Sequence, residues 1–411
     1  MRMRLSLDVR FIPRISLLFT DVSPSDEVGK ARTVNRRSIL TNGLIAAAWA
    51  AIPEFGSPVP GPNPLTPSGP LKVAGAKCGI KVGVQAGKAT LQFPDFVQVI
   101  KDNFNMLTPG NELKWPRLQP SPGSFDFTDA DWMVNFCESN GLLVHGHNLC
   151  WNSPSGNPNW FTTTLDKSNA GRFLTEHITT VMHHYAGRID SWDVVNEPTV
   201  FWSKRSDGLY PGIWIDLLGP GYIDTAFHAA AAADPRALLV LNVYDVEQGT
   251  PAHETTRRTT IVLLKQLLAR GVPVQAVGME SHLDASTPPG GTGLSTFIQE
   301  IRDMGLQVLI TELDVNDTHL EGNFQVRDQV IAQMYQDYLM QVVPASGTKR
   351  VIFWTPSDKW DWLNSTNIPQ FKREDGTPHR PGLFTDTMAR KSAFGAVESS
   401  LREICGNESR R

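Results

Sequence analysis

The stretch SWDVVNEPTV, residues 191–200, changes character in its middle. Trp192, Val194 and Val195 suit a strand, whereas Asn196 and Pro198 do not, and Pro198 has no N–H to give a ladder. A strand is therefore predicted to stop where a carboxylate, Glu197, begins to point outward. The same transition recurs along the chain. Short β-branched or aliphatic runs at 80–85, 104–109, 142–148, 189–195, 237–243, 274–280, 306–312 and 350–355 read as strands. Helical patterns at 128–140, 170–185, 222–233, 256–270 and 326–343 lie between them. Repeated strand–helix alternation without hairpin signals predicts an α/β protein, a (β/α)8 TIM barrel. A doubly wound open sheet is the alternative, but no Gly-rich phosphate loop follows any of the runs.

Polar residues collect where the strands end. Asn111, Glu112 and Lys114 follow the second run, and His145, His147 and Asn148 close the third. Asn196 and Glu197 close the fourth, Asn242 and Tyr244 the fifth, Glu280 and His282 the sixth. Glu312 and Asp314 close the seventh, Trp354 and Asp358 the eighth. In a barrel these ends make one face, where active sites are built. Glu197 and Glu312 stand out because apolar strands on opposite sides of the ring aim them. A pair of carboxyls across a cleft is what glycosidic bond cleavage needs: one protonates the departing oxygen, the other attacks the anomeric carbon or activates water. Asp193 and Asp314 compete for these roles, since residues two apart in a strand share a face.

Three features frame the barrel. The paired Arg36-Arg37 precede a modest apolar run, Gly43 to Ala51, with Ala48-Trp49-Ala50 as a small-residue cleavage pattern. Residues 1–50 are thus expected to be a twin-arginine-type export signal, placing the protein in the periplasm or outside the cell. Its removal would leave 30 Lys and Arg against 38 Asp and Glu, a net charge near −8. Residues 51–70 contain seven prolines and read as a linker. The barrel is expected at 71–405, with 406–411 as a tail.

Several partner classes are excluded. A net charge of −4 with no basic stripe argues against nucleic acid, and no apolar run is long enough to hold a membrane. The four cysteines have neither CxxC nor Cys/His ligand spacing, so no metal or other cofactor is expected. Export permits one or two disulfides; Cys137 on a helix and Cys150 at a strand end are one candidate pair. His183-His184 read as a solvated helix face. A monomer acting on a polysaccharide or oligosaccharide is expected.

The residues around the two glutamates resemble a known family. Trp192-Asp193-Val194-Val195-Asn196-Glu197 and Ile310-Thr311-Glu312-Leu313-Asp314-Val315 are similar to the signature motifs of glycoside hydrolase family 10. Asn111-Glu112-Leu113-Lys114-Trp115, the run Gln119 to Phe127, Gly146-His147-Asn148-Leu149-Cys150-Trp151, Ser281-His282-Leu283 and Trp354 to Trp362 follow the family's order. The resemblance covers residues 71 to 400. It implies a retaining endo-β-1,4-xylanase with Glu197 as acid/base and Glu312 as nucleophile. By the same resemblance Asn196 would bind the sugar 2-hydroxyl and His282 the nucleophile. Asn111, Lys114 and His147 would bind sugar hydroxyls, and Trp151, Trp354 and Trp362 would wall that side of the cleft. Tyr244 would contact the nucleophile or the downstream cleft.

The chain also departs from the family. Gly110 stands where a glutamate usually precedes the Asn-Glu pair, Asn152 where a His follows the strand-three Trp, and Glu280 where a Gln is usual. Asn242-Val243-Tyr244-Asp245 replaces an Asn-Asp-Tyr-Asn run. These changes leave both glutamates in place and bear on which glycan is taken. A non-xylan β-glycoside is therefore an alternative substrate, and a barrel that binds polysaccharide without cutting it is the reading from another class.

Overall fold

A computed structural model describes residues 69–366 and 368–408; residues 1–50, expected to be an export signal, and 51–68 of the expected linker lie outside the described residues. Eight parallel strands form the core: β1 (Lys81–Ala86), β2 (Met106–Pro109), β3 (Leu143–Gly146), β4 (Ser191–Asn196), β5 (Leu238–Val243), β6 (Ala276–Met279), β7 (Gln307–Asn316) and β8 (Arg350–Phe353). Each pairs with its successor, and β8 pairs with β1, so the sheet closes into a (β/α)8 barrel. Helices follow every strand, among them Thr128–Ser139, Ala170–His184, Gly221–Ala233, Pro251–Ala269, Gly291–Asp303 and Phe324–Ser346. Strand residues such as Val82, Val84, Trp192, Val194 and Leu241 are fully buried, and closure leaves the barrel no open edge. No helix among the described residues is long and apolar enough to cross a membrane.

The main departures from the sequence reading lie at the strand ends. β7 continues four residues past Glu312, because Asp314–Asn316 pair with a short segment, His282–Asp284, that leaves the end of β6. Register shifts interrupt the ladder between Asp193 and Val195 on β4 and between Ile310 and Leu313 on β7. Irregularities of this kind re-aim side chains and gather beside active sites. Here they fall on the two strands that end in the candidate glutamates.

The backbone then leaves β4, β5 and β6 through left-handed residues: Glu197 (φ 49°), Asp245 (φ 53°) and Ser281 (φ 66°). Such a conformation costs a non-glycine residue roughly 1 kcal/mol or more and persists only where the surroundings enforce it. At Glu197 they do. Its N–H donates to the Asn242 carbonyl (2.8 Å), and Tyr210 N–H donates to Pro198 O (2.9 Å), closing the excursion that follows.

The candidate pairing of Cys137 with Cys150 is not what forms. Cys78 is bonded to Cys405, and Cys137 and Cys150 are free and buried. Cys137 lies at the entry to β3, its carbonyl accepting from Leu142 N–H (2.9 Å). Cys150 lies beyond the exit, its carbonyl accepting from Asn196 N–H (2.8 Å), so the length of β3 stands between them. Burial pushes the Cys137 thiol up to about 12, where it is inert at neutral pH. The Cys78–Cys405 bond instead joins the turn after the helix Leu71–Ala76 to the last helix, Ser392–Glu408. His183 and His184 are exposed on their helix, with His184 Nε2 2.7 Å from Asp131.

Candidate active site

All eleven residues singled out from the sequence lie at or just beyond the C-terminal ends of the strands. Glu312, on the irregular stretch of β7, is the most heavily contacted. Asn242 Nδ2 donates to its Oε1 (2.9 Å) and His282 Nε2 lies 3.2 Å from its Oε2. His147 Nδ1 approaches Oε1 at 3.7 Å. His282 is bracketed, since its Nδ1 lies 2.8 Å from Asp314 Oδ1 while Trp362 Nε1 donates to the other oxygen of that carboxylate (2.7 Å). Burial alone would lower the His282 pKa, but Asp314 and Glu312 overcome it and raise it to about 10. The ring is thus an imidazolium at neutral pH, donating from both nitrogens.

Asn242 ties the fourth and seventh strands together. Its amide N–H groups face Asn196 Oδ1 (2.9 Å), Glu312 Oε1 (2.9 Å) and Glu280 Oε1 (3.2 Å), and Thr311 Oγ1 donates to its carbonyl (2.7 Å). Gly278 on β6 makes room for it: a Cβ there would stand 2.3 Å from Asn242 Oδ1. The additional carboxylate, Glu280, therefore shares the donors of Glu312, with His282 Nε2 also 3.8 Å from it.

Asp193 and Asp314, the competing carboxylates, are both committed elsewhere. Asp193 Oδ2 takes His145 Nε2 (3.0 Å) and His147 Nδ1 (2.9 Å), and His145 Nδ1 meets Ser191 Oγ (2.8 Å). Burial works against the Asp193 charge, but the two histidines hold its carboxyl below the usual range. Asp314 is held by His282 and Trp362. Both aspartates position histidines, and neither carboxylate is left to face a substrate.

Glu197 has the opposite environment. Its side chain keeps some exposure to the cleft while dense protein surrounds it on the other sides. Desolvation first, and then the negative charge of Glu312, raise its pKa to about 8. The Trp151 indole N–H is buried and completes no hydrogen bond of good geometry, yet it lies near enough to favour the ionised form slightly. The arrangement thus offers one carboxyl that stays protonated at neutral pH, beside one that is fixed by an imidazolium and an amide. That division of labour is what general acid catalysis with a partner carboxylate requires.

The remaining residues form two walls. On one side Lys114 Nζ lies 3.4 Å from Asn111 Oδ1 and 5.7 Å above the Trp151 ring, its pKa lowered by burial although Glu312 and Glu197 counter this. Trp354 meets His147 and His282 edge-on, with centroids 5.3 and 6.0 Å apart, and Trp362 meets His282 at 5.9 Å. On the other side Tyr244 packs with Val200, Tyr210 and Trp202, whose Nε1 lies 3.3 Å from Tyr244 OH. The Glu197 charge reaches both tyrosines and adds to the rise that burial imposes on them. Tyr210 carries no signal in the sequence, and Asn242 reads there as a polar strand end on the active face without a role of its own. Asn152 was flagged only as a departure: its amide holds Tyr210 O (2.6 Å) and Trp214 N (3.0 Å), which fixes the wall. Trp115, by contrast, is core, stacked on His177 at 3.7 Å.

Among the described residues three clusters have donor sets that could hold a metal ion: His147–Asp193–Glu312, Glu280–His282–Glu312 and Asp245–Glu247–His253. Their donor atoms are largely occupied by one another or by backbone. Both oxygens of Glu247, for example, accept backbone N–H groups, from Ser281 (2.9 Å) and Val246 (2.8 Å).

Known proteins are similar to this chain in sequence and in fold. An endo-1,4-beta-xylanase B of Thermotoga neapolitana is 32% identical over 344 residues, covering 81% of this chain and 92% of that one. A beta-1,4-xylanase of Dictyoglomus thermophilum is 32% identical over 323 residues, covering 76% and 87%. Among solved structures, xylanase 10B of Thermotoga petrophila RKU-1 in complex with xylobiose superposes with a TM-score of 0.74 at 28% identity, covering 83% of this chain and 99% of that one. A mutant xylanase 10C of Cellvibrio japonicus in complex with xylopentaose gives 0.71 at 28%, covering 79% and 67%. The model of glycosyl hydrolase family 10 matches residues 71–400, the whole barrel together with every residue of the cleft just described. The chain belongs to glycosyl hydrolase family 10.

Proposed function

We propose that this protein is an exported, retaining endo-β-1,4-xylanase in which Glu197 is the acid/base and Glu312 the nucleophile. The observation that carries the assignment is the pKa of Glu197, raised to about 8 by burial and by the Glu312 charge, beside a Glu312 fixed by His282 and Asn242. In the first step Glu312 attacks the anomeric carbon while Glu197 gives its proton to the departing glycosidic oxygen. In the second, Glu197, now without a charged neighbour, takes a proton from the water that attacks the glycosyl-enzyme. Because Asn196 Oδ1 already accepts from Asn242, its own N–H groups are what it offers the sugar 2-hydroxyl. Lys114, Asn111 and His147 bind further hydroxyls, and Trp354 and Trp362 stack on ring faces. The relatives named as xylanases, and the neighbours holding xylobiose and xylopentaose, support xylan as substrate. The Arg36-Arg37 signal supports export.

The test is release of reducing sugar from xylan, β-glucan and aryl β-glycosides, with Glu312→Ala as control. Xylan turnover is expected, falling as pH rises through about 8, because the acid function is present only while Glu197 keeps its proton. Glu197→Ala should retain activity on aryl glycosides whose leaving group needs no proton. Equal losses on activated and unactivated substrates would reject Glu197 as the acid, and no turnover on any substrate would point to a binding barrel.

A further inference from the structure

We infer that Gln85 is a sugar-binding residue that sets the specificity of the cleft on its Asn111 side. The inference rests on the glycanase reading above and deepens it. Gln85 is the penultimate residue of β1, in register with Thr108 of β2, and is half-buried. Its side chain crosses to the end of the neighbouring strand and lies over Gly110. A Cβ built at position 110 would stand 1.7 Å from Gln85 Nε2 and 2.8 Å from its Cδ. No side chain fits at 110 while Gln85 holds this rotamer. The two positions are therefore one space-filling unit, with a long side chain on β1 and none after β2.

The amide delivered there is not used by the protein. Among the described residues no hydrogen bond engages it. A primary amide offers two N–H donors and a carbonyl acceptor, and a half-buried one without partners gains when a ligand supplies them. Its place is inside the cleft. Asn111 follows Gly110 directly and is exposed, its Oδ1 lies 3.4 Å from Lys114 Nζ, and the Lys114 charge interacts with both Glu312 and Glu197. The carboxylate of Glu112 is turned away to the backbone, accepting from Lys88 N (2.7 Å) and Asn111 N (3.2 Å). What this corner presents is thus two carboxamides and an ammonium. Vicinal hydroxyls of a pyranose, each able to donate and accept, match that set. Gln85 supplies from β1 the polar contact that a longer residue at 110 would otherwise make.

The experiment compares kcat/KM of the wild type, Gln85→Ala and Gln85→Ala/Gly110→Glu on xylotetraose and on an aryl β-xyloside too short to reach Asn111. Gln85→Ala is expected to lose about tenfold on xylotetraose, mainly through KM, equivalent to roughly 1.4 kcal/mol or one neutral hydrogen bond. On the aryl xyloside the loss should be smaller, below about threefold. The double variant, with an acceptor placed in the vacated space, should recover most of the xylotetraose loss. An effect on xylotetraose within twofold, or equal losses on both substrates, would overturn the assignment, and a double variant no better than Gln85→Ala would overturn the pairing of the two positions. Failure of the wild type to cleave any xylo-oligosaccharide would instead overturn the glycanase reading, and this inference with it.

Discussion

Asp314→Asn tests how the cleft keeps its two glutamates different. Asp314 is the leading cause of the raised His282 pKa, opposing the burial that would otherwise lower it. A rise from 6.5 to about 10 corresponds to roughly 4–5 kcal/mol favouring the imidazolium, at 1.36 kcal/mol per unit. Asparagine keeps the shape of the side chain and removes the charge. Burial then dominates, and His282 should lose its proton near or below neutrality. Above that pH Glu312 faces a neutral ring and loses a charge-assisted hydrogen bond, costing about 1–2 kcal/mol relative to a neutral one, or about tenfold in kcat/KM. The profile of kcat/KM against pH on an aryl β-xyloside should show a new descending limb in the neutral range. Direct NMR titration of the His282 ring should locate its source. Stability offers an independent readout. A base whose pKa is raised on folding stabilises fully below its unfolded value and loses that contribution as pH rises through the folded value. The wild type should therefore lose stability between pH 6.5 and about 10, and Asp314→Asn should lose much less over that window. Superimposable pH profiles, with His282 still titrating near 10, would refute the argument.

Two further outcomes are expected. Asn242→Ala removes the amide that joins Asn196, Glu280 and Glu312 and leaves buried acceptors unsatisfied; stability should fall by about 1–3 kcal/mol, with kcat reduced more than KM is raised. Cys405→Ala opens the Cys78–Cys405 bond, which joins positions 327 residues apart; a loss of about 2–4 kcal/mol, and a drop in Tm of roughly 4 °C by calorimetry, should follow with kcat unaffected.

The barrel and its catalytic face were legible because both depend on local pattern. Aliphatic runs such as those ending in Glu197 and Glu312 mark strands, and a barrel gathers their ends. What depended on pairing between distant segments was not. The register shifts at Val194 and Thr311 arise from how neighbouring strands mesh, and nothing in Ile310-Thr311-Glu312 announces one. Asn242 looked like one more polar strand end until Gly278, on the next strand, gave its amide a place. Gln85 read as an ordinary strand residue and Gly110 as a missing glutamate; only adjacency makes them complementary. The helix Pro251–Ala269 begins five residues before the predicted 256, because Thr250 caps it by accepting from His253 N–H (3.3 Å) and Pro251 takes the first turn. The disulfide joins the two ends of the barrel domain, and spacing along a chain carries no information about that.

Two glutamates at the ends of two strands begin chemically equal, and their neighbours separate them. The charges of Glu312 and Asp245 both reach Glu197, and three more carboxylates, Asp193, Glu280 and Asp314, belong to the same cleft. The cationic and N–H donors are not shared evenly: His145 and His147 go to Asp193, His282 to Asp314 and Glu312, Asn242 to Glu312 and Glu280. Glu197 is left with the smaller influences of Trp151 and the His282 charge, which desolvation and the charges of Glu312 and Asp245 outweigh. The proton therefore goes to the carboxyl that the donors serve least. The proposed acid is selected by the weakness of its partners, and any substitution that brings a further cation to Glu197 should weaken catalysis without touching the nucleophile.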